Sequence, residues 1–493
     1  MLRRWLIWTH RYVGVPVSVL FVVWFASGIV MMYTGDMPRL TPQARLDALP
    51  PLAPSAIRLT PAAAAEGRAL RPPARVTLRT LLGRPVYRFD EVTLFADTGA
   101  PLGPVGPDLA RAVAQEFTGA PAEAIGHDGL IERPDQWTLL AREGLPAHKF
   151  RVRDGEGTQL YVARQTGEVV MLTTRWSRTL AWLGAIPHWF YLPELRIERE
   201  PWEAVIVWTS AIGCLIAVTG LLLGIVQFRW RGSRGRRIPY AGLMRWHYLT
   251  GVLFGVATLT WTFSGLLSVQ PFAWMTAPGL SVAADALSPG PLDLAAFPPL
   301  DPARLDQRVE GRTIKEIDLL RIGDAPVYQV RLDGGTDVVA TPGLLLDART
   351  LSARAASPEA LVTRLRQGAL PGATALDVSV HDAYDSYYYG RGPERPPLPV
   401  VRVRLDDPME TWAYIDPATE RVTLTVHRLE RFERWLFNGL HSLDFRFWYE
   451  RRPLWDIGVL LLMAGGLASS GLGLWVGWGR VRRAVGRWRQ PDQ

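Results

Sequence analysis

The stretch TLAWLGAIPHWFY, residues 179–191, is apolar and aromatic almost throughout, yet it carries one histidine, His188. A related stretch, WLFNGLH, starts at Trp435 and puts His441 at the matching place, 253 residues on. That offset holds without gaps from Leu145-Pro146, which falls on Leu398-Pro399, through Thr158 with Thr411, Tyr161 with Tyr414 and Trp182 with Trp435. It continues through Trp202 with Trp455 and Gly220 with Gly473 to Gly224 with Gly477. An offset of 237 pairs His10, Trp24, Ser27 and Gly28 with His247, Trp261, Ser264 and Gly265, and Pro85-Val86-Tyr87 recurs 241 residues later as Pro326-Val327-Tyr328. The chain therefore reads as a tandem duplication, and each half tests what is inferred from the other.

Each half contributes two apolar runs long enough to cross a bilayer, which takes about 20 helical residues. They are Val13–Tyr33 and Ala204–Val226, then Leu249–Val269 and Leu454–Val476. The first is too long for the apolar part of a signal peptide and lacks a following small-residue cleavage site, so it reads as an uncleaved span. The remaining sequence is more polar: the 493 residues are 48% hydrophobic overall, with 20 Trp, a mixed composition that fits neither a soluble enzyme nor a bare helix bundle. The lone cysteine, Cys214, excludes an intrachain disulfide and any Cys-based metal cluster.

Arginine sets the expected orientation. The segment 229–245 holds Arg229, Arg231, Arg234, Arg236, Arg237 and Arg245 with no acid, and the tail 479–493 holds Arg480, Arg482, Arg483, Arg487 and Arg489 against Asp492. With Arg3, Arg4 and Arg11 that side carries fourteen positive charges and one negative, or +13, against +8 for the whole chain, leaving the two large loops near −5. The positive-inside rule makes these basic segments and both termini cytoplasmic. The basic balance is thus a topology signal, and nucleic-acid binding is not expected.

The loops Thr34–Trp202 and Gln270–Pro453 then lie outside, each large enough for a small domain, at about residues 34–175 and 271–428. The first opens on a proline-rich linker, Pro50–Pro73, not expected to be regular. Strand patterns follow at 85–89, 92–97, 149–154, 158–163 and 168–172, with a helix at 108–117. The second loop repeats the order at 326–332, 358–367, 399–405 and 411–416. The expected architecture is a membrane α-helical protein, with four transmembrane helices as a tandem two-helix repeat and two periplasmic α+β domains.

Of eight histidines, four pair across the duplication, and all four sit at ends of membrane segments. Halves with an even number of spans share one orientation, so a pseudo-twofold axis along the membrane normal would bring His10 to His247 at the cytoplasmic face and His188 to His441 at the outer one. Two neutral imidazoles facing each other in a helical bundle can supply both axial ligands of a haem iron. Two haems b are therefore the expected cofactors, with Gly14, Gly28, Gly251 and Gly265 letting a flat macrocycle approach the backbone. The competing uses of such histidines are hydrogen bonds between helices and a proton relay. Trp5, Trp8, Trp230, Trp246, Trp455 and Trp475 read most simply as interface anchors.

WLGAIPHWFYLPEL (182–195), WHYLTGVLFGVATLTWTFSGLLS (246–268), DDPMETWAYIDPATERV (406–422) and WLFNGLHSLDFRFWYERRPLWDIGVLLL (435–462) resemble the PepSY-associated transmembrane proteins of bacteria, often described as iron-regulated membrane proteins. The resemblance spans nearly the whole chain. It implies four spans in the inner membrane with PepSY-like periplasmic domains, and one branch of the family is a di-haem reductase of ferric siderophores. His10, His188, His247 and His441 are the residues onto which a ligand role carries over.

The expected activity is electron transfer to a periplasmic acceptor, such as a ferric siderophore or other ferric chelate, since hard oxygen chelators hold Fe(II) less tightly than Fe(III). The segment between the second and third spans is too short for a flavin or nicotinamide domain, so the donor is expected to be separate, a quinol or a cytoplasmic reductase. The most conspicuous acceptor site is HDAYDSYYYGRGPER (381–395), where Tyr387, Tyr388, Tyr389 and Arg391 offer aromatic faces and charge to a planar anion. The competing reading is a haem-free scaffold whose outer domains bind or restrain an envelope peptidase.

Overall fold

A computed structural model describes the chain except residues 72, 74, 91, 230–236, 277, 335–342, 391–394 and 489–493. Trp230, Arg231, Arg234, Arg236, Arg489 and Asp492 thus lie outside the described residues. The chain divides into a helical unit (Met1–Met37, Ser177–Ala277, Leu429–Gln493) and a sheet unit (Pro38–Trp176, Pro278–Arg428).

Among the described residues, four helices of the first unit are long and apolar enough to cross a membrane: Gly14–Thr34, Arg199–Gln227, Gly242–Leu267 and the Leu454–Arg480 part of a helix that runs to Trp488. Their ends differ from the hydropathy limits because a helix stops at backbone signals rather than where polarity begins. The second starts at Arg199 with Pro201 in its first turn, where a missing N–H is harmless. The first is preceded by a separate helix, Leu2–Tyr12, which carries His10. The first span packs on the fourth, the fourth on the third and the third on the second. Val17, Phe21 and Phe25 meet Ile216, Trp455, Val459 and Met463 in the core, and Phe25 lies edge-on to Trp261 at 5.7 Å. Close approach depends on glycine: a Cβ at Gly213 would fall 2.6 Å from Thr262 Cγ2.

The described residues of the sheet unit form three antiparallel sheets. The first loop supplies β1 (Val76–Leu81), β2 (Arg84–Phe89), β3 (Val92–Phe95), β4 (Ile125–Ile131), β5 (Ala147–Val152), β6 (Gln159–Ala163) and β7 (Val169–Thr173). The second supplies β8 (Ile314–Ile322), β9 (Ala325–Leu332), β10 (Leu344–Asp347), β11 (Ala375–His381), β12 (Val400–Leu405), β13 (Trp412–Asp416) and β14 (Arg421–Val426). Each loop builds one four-stranded sheet with a helix against it. β4-β5-β6-β7 carries the helix Pro107–Thr118, whose Ala110, Val113 and Ala114 pack on Phe150, Leu160 and Val162. β11-β12-β13-β14 carries Pro358–Arg366, with Leu361 and Leu365 on Val378, Val401 and Val403.

The remaining strands form one six-stranded sheet, β10-β9-β8-β1-β2-β3, so the two loops share a sheet, which the sequence reading did not anticipate. The joint is the antiparallel pair β1 and β8, in the register Val76↔Leu319, Thr77↔Asp318, Leu78↔Ile317 and Arg79↔Glu316. One face, with Leu78, Tyr87, Leu94, Ile317, Leu319 and Tyr328, is an apolar core. The proline-rich segment is no loose linker either: Leu52 is buried in that core, its N–H donates to Ile314 O at 2.7 Å, and Leu59 O accepts from the Tyr87 hydroxyl at 3.0 Å.

The other face carries buried charge. Asp318 accepts from Arg75 (2.7 and 3.1 Å), Thr77 (2.8 Å) and Arg331 (3.1 Å); Glu316 accepts both arms of Arg45 (2.8 and 2.9 Å); Glu168 lies against Arg79 (3.2 Å) and Arg88. Burial alone would raise the pKa of Asp318 and Glu168, but the guanidiniums around each outweigh it and hold both carboxyls below their usual range. Depressed carboxylates contribute stability that is present above the unfolded value of about 4 and is lost as pH falls through the lower folded value. The denaturant midpoint of this unit is therefore expected to be level from pH 7 to 5 and to drop on the way to pH 3. A level midpoint down to pH 3 would show that these pairs do not stabilise the fold.

Candidate functional site

Within the helical unit the four duplicated histidines meet as two couples, His10 with His247 and His188 with His441, their ring centroids 6.3 and 6.1 Å apart. The couples lie at opposite ends of the first and third spans. His10 precedes the first span and His247 sits in the opening turns of the third, while His188 and His441 bond to Ser27 and Ser264, near the far ends of those helices.

Local structure explains how each ring is aimed. His188 rides on the short helix Ala185–Trp189, closed by Phe190 in the left-handed region (φ 52°). His441 rides on Leu440–Ser442, closed in the same way by Leu443 (φ 49°). Two tryptophans tie these segments to the spanning helices: Trp202 Nε1 donates to Trp189 O at 2.6 Å, and Trp455 Nε1 to Ser442 O at 3.2 Å. Trp455 is thus a buried link, not the exposed interface anchor expected, because its indole N–H finds a backbone carbonyl next to His441.

The hydrogen bonds also place the ring protons. His10 Nδ1 faces Ile216 O at 3.2 Å and His247 Nδ1 faces Ser469 O at 3.0 Å; a carbonyl only accepts, so each Nδ1 carries the proton. Ser27 Oγ donates to Val23 O (2.7 Å) and Ser264 Oγ to Trp261 O (3.0 Å), so these hydroxyls accept from Nδ1 of His188 and His441, each at 3.0 Å. All four imidazoles therefore have the lone pair on Nε2, the arrangement by which a second-shell acceptor prepares a metal ligand. Burial, then the neighbouring imidazole, pushes His188 down to about 3 and His10 down to about 4, so both are neutral at physiological pH.

Spacing and surroundings fit a metal shared by each couple. Metal–imidazole bonds of about 2 Å, with roughly 1 Å from each nitrogen to its ring centre, put the centroids of a trans pair about 6 Å apart. Among the described residues no group of three or more His, Cys, Asp or Glu is placed to hold a metal ion. Each ring faces a glycine. An added Cβ would fall 2.7 Å from His10 Cε1 at Gly220, 3.0 Å from His247 Cε1 at Gly473, 3.4 Å from His188 Cε1 at Gly28 and 3.9 Å from His441 Cε1 at Gly265. Gly28 and Gly265 were expected to matter. Gly14 and Gly251 face Ile216 and Ser469 instead, and Gly220 and Gly473 serve the first couple. Trp24 Nε1, buried three residues from Ser27, has no acceptor among the described residues.

The other predicted site residues fare differently. Tyr388 is buried, stacks on Tyr414 at 4.8 Å and donates its hydroxyl to Pro397 O at 2.8 Å, which corrects its assignment to substrate binding: the ring is part of the core of its sheet. Tyr387 is half-buried against the edge of Trp412, Tyr389 is half-buried, and Arg391 lies outside the described residues. His127 Nε2 lies 3.1 Å from His148 Nδ1, a pairing not expected from sequence. Because His148 Nε2 donates to Val105 O at 2.9 Å, this pair is a hydrogen-bonded link rather than a second ligand set. Ser27, Ser264 and Trp202 enter the sequence reading only as markers of the repeat, and Trp455 as a repeat marker and an interface anchor; their recurrence is the signal of a role.

A sequence model of the family described as "PepSY-associated TM region" matches residues 7–346, more than half of the chain. No curated protein matches it.

Proposed function

The chain belongs to the PepSY-associated transmembrane family, and on that premise we propose that it is an inner-membrane di-haem electron-transfer protein, a reductase of ferric siderophores or other ferric chelates. The observation that carries this reading is the pair of histidine couples, each with Nδ1 engaged, Nε2 presenting its lone pair, and centroids 6.1–6.3 Å apart.

His10 with His247 would hold one haem b and His188 with His441 the other. Haem bound there supplies one-electron exchange without proton transfer to the protein. The residues of the chain do the positioning. Ile216 O, Ser469 O, Ser27 and Ser264 fix the tautomer and turn of each ring, Trp202 and Trp455 hold the segments that bear His188 and His441, and the facing glycines keep the backbone clear. The same reading takes the chain as a tandem two-helix repeat with basic ends in the cytoplasm and the sheet unit in the periplasm. Electrons come from a separate quinol or cytoplasmic reductase, and reduction releases iron because its chelate holds Fe(II) less tightly.

The test is reoxidation. Protein reduced with dithionite, then freed of reductant and mixed with a panel of ferric siderophores, is expected to lose its reduced α band rapidly with at least one of them and to yield Fe(II) trapped by ferrozine. Reduced protein that every chelate leaves reduced would remove the acceptor assignment.

A further inference from the structure

We propose that the helix Leu2–Tyr12 is an anchor for anionic phospholipid headgroups, seated in the leaflet at its own end of the spans and holding His10 in its couple. The next helix, Gly14–Thr34, is about 32 Å long at about 1.5 Å per residue, which already fills a hydrocarbon layer of about 30 Å. Leu2–Tyr12 therefore lies beyond that layer, among the headgroups. The two helices are separate because Pro16 has no N–H to return to Tyr12 O.

The faces of this helix are divided. Leu6 and Thr9 are each 5% exposed and share the bundle side with His10, whose Nδ1 donates to Ile216 O. Trp5, Trp8 and Tyr12, at spacings of three and four, fall within about 60° of one another on the far side. They are 53%, 59% and 58% exposed. Indole and phenol rings left open beside a spanning helix match the polar–apolar boundary of a bilayer, where an apolar body and a polar tip are both satisfied. The exposed side chains continue into the span with Val19 and Val23, so the stripe is continuous with a surface that meets lipid.

Charge selects the kind of lipid. Arg3, Arg4 and Arg11 are exposed, the helix has no acidic residue, and Arg4 and Arg11 lie seven residues apart along the edge of the aromatic stripe. Cationic side chains in that position reach lipid phosphates while their stems lie along apolar surface, and the Arg11 guanidinium is 6.0 Å from the Tyr12 ring. A headgroup of net negative charge gains from these arginines more than a zwitterionic one does. The stripe is not something the duplicated histidine needs. The counterparts of Trp5, Trp8 and Tyr12, 237 residues on, are Gly242, Arg245 and Leu249, while His247 remains.

The experiment uses the full-length protein in phosphatidylcholine nanodiscs that carry a trace of a photoreactive probe, either phosphatidylglycerol or phosphatidylcholine with the same chains. Labelled sites are mapped by mass spectrometry. The phosphatidylglycerol probe is expected to label Leu2–Tyr12 about tenfold more than the phosphatidylcholine probe does. Hydrogen exchange in residues 5–12, including the amide of His10, should be slower in discs rich in phosphatidylglycerol than in pure phosphatidylcholine. Arg4→Gln combined with Arg11→Gln should remove the preference for phosphatidylglycerol, and Trp5→Ser combined with Trp8→Ser should remove the labelling by both probes. All four residues are exposed, and unchanged exchange in the spans confirms that the variants fold. Four results overturn the proposal: no labelling of Leu2–Tyr12 by either probe while the spans are labelled; equal labelling by both; an undiminished preference in the double arginine variant; or cross-linking of Trp8 to a second copy of the chain in place of lipid.

Discussion

If each histidine couple holds a haem as proposed, His188→Ala is expected to cost the protein half of its haem. The substituted couple keeps only His441, whose Nδ1 is held by Ser264 at 3.0 Å, while the His10 couple is untouched because it depends on other carbonyls, Ile216 O and Ser469 O. A single imidazole cannot give a six-coordinate low-spin iron, and the cavity left by the ring admits water. Pyridine haemochrome assay should read about one haem per chain in place of two, and His10→Ala combined with His188→Ala should read near zero with loss of the reducible Soret and α bands. Ser27→Ala is the control. It removes the acceptor at Nδ1 but not the ligand, so the haem content should hold while affinity falls about tenfold or more, the usual size of a second-shell loss. Full haem content in the double variant would assign the couples to hydrogen bonding between helices.

Asp318→Ala is expected to produce the largest loss of stability in the sheet unit. Its carboxylate is fully buried and receives Arg75, Thr77 and Arg331, so truncation removes the carboxylate of Arg75 and leaves Arg331 with Glu316 alone, 3.5 Å away. Removing one partner of a fully buried pair typically costs about 3–5 kcal/mol. With Arg75 half exposed and able to regain water, the expected loss is at the low end, about 2–3 kcal/mol. The site also sits in the β1–β8 joint, where Thr77 pairs with Asp318, so the damage falls on the connection between the two loops. Denaturant unfolding should show the midpoint drop, with hydrogen exchange rising in β1 and β8 before it rises in β5 or β12. Asp318→Asn, which keeps the volume and part of the bonding, should cost less. A loss below about 1 kcal/mol for the alanine variant would mean that the arginines find water instead.

Much of this was legible in the sequence, and the reasons are particular. The histidine couples could be read because a duplication keeps residues in register: equal offsets for His10 and Ser27 in one half and His247 and Ser264 in the other mark a shared environment before any contact is known. The four spans were legible because apolar length is a local property. The β1–β8 joint was not, because Arg79 and Glu316 in strands read as solvent-facing charge, and only pairing between segments about 240 residues apart turns them inward. Tyr388 and Trp455 were misassigned for one shared reason. Composition cannot distinguish an aromatic ring that meets lipid or ligand from one whose polar atom has found a backbone carbonyl. The His127–His148 contact depends on the pairing of β4 with β5, which includes a bulge between His127 and Gly129 that no spacing rule reveals.

The most direct measurement is the haem stoichiometry of the purified wild-type protein from haem-replete cells, by pyridine haemochrome against protein mass. The account predicts two b-type haems per chain with a low-spin, reducible spectrum. Colourless protein, folded and monodisperse, would contradict it.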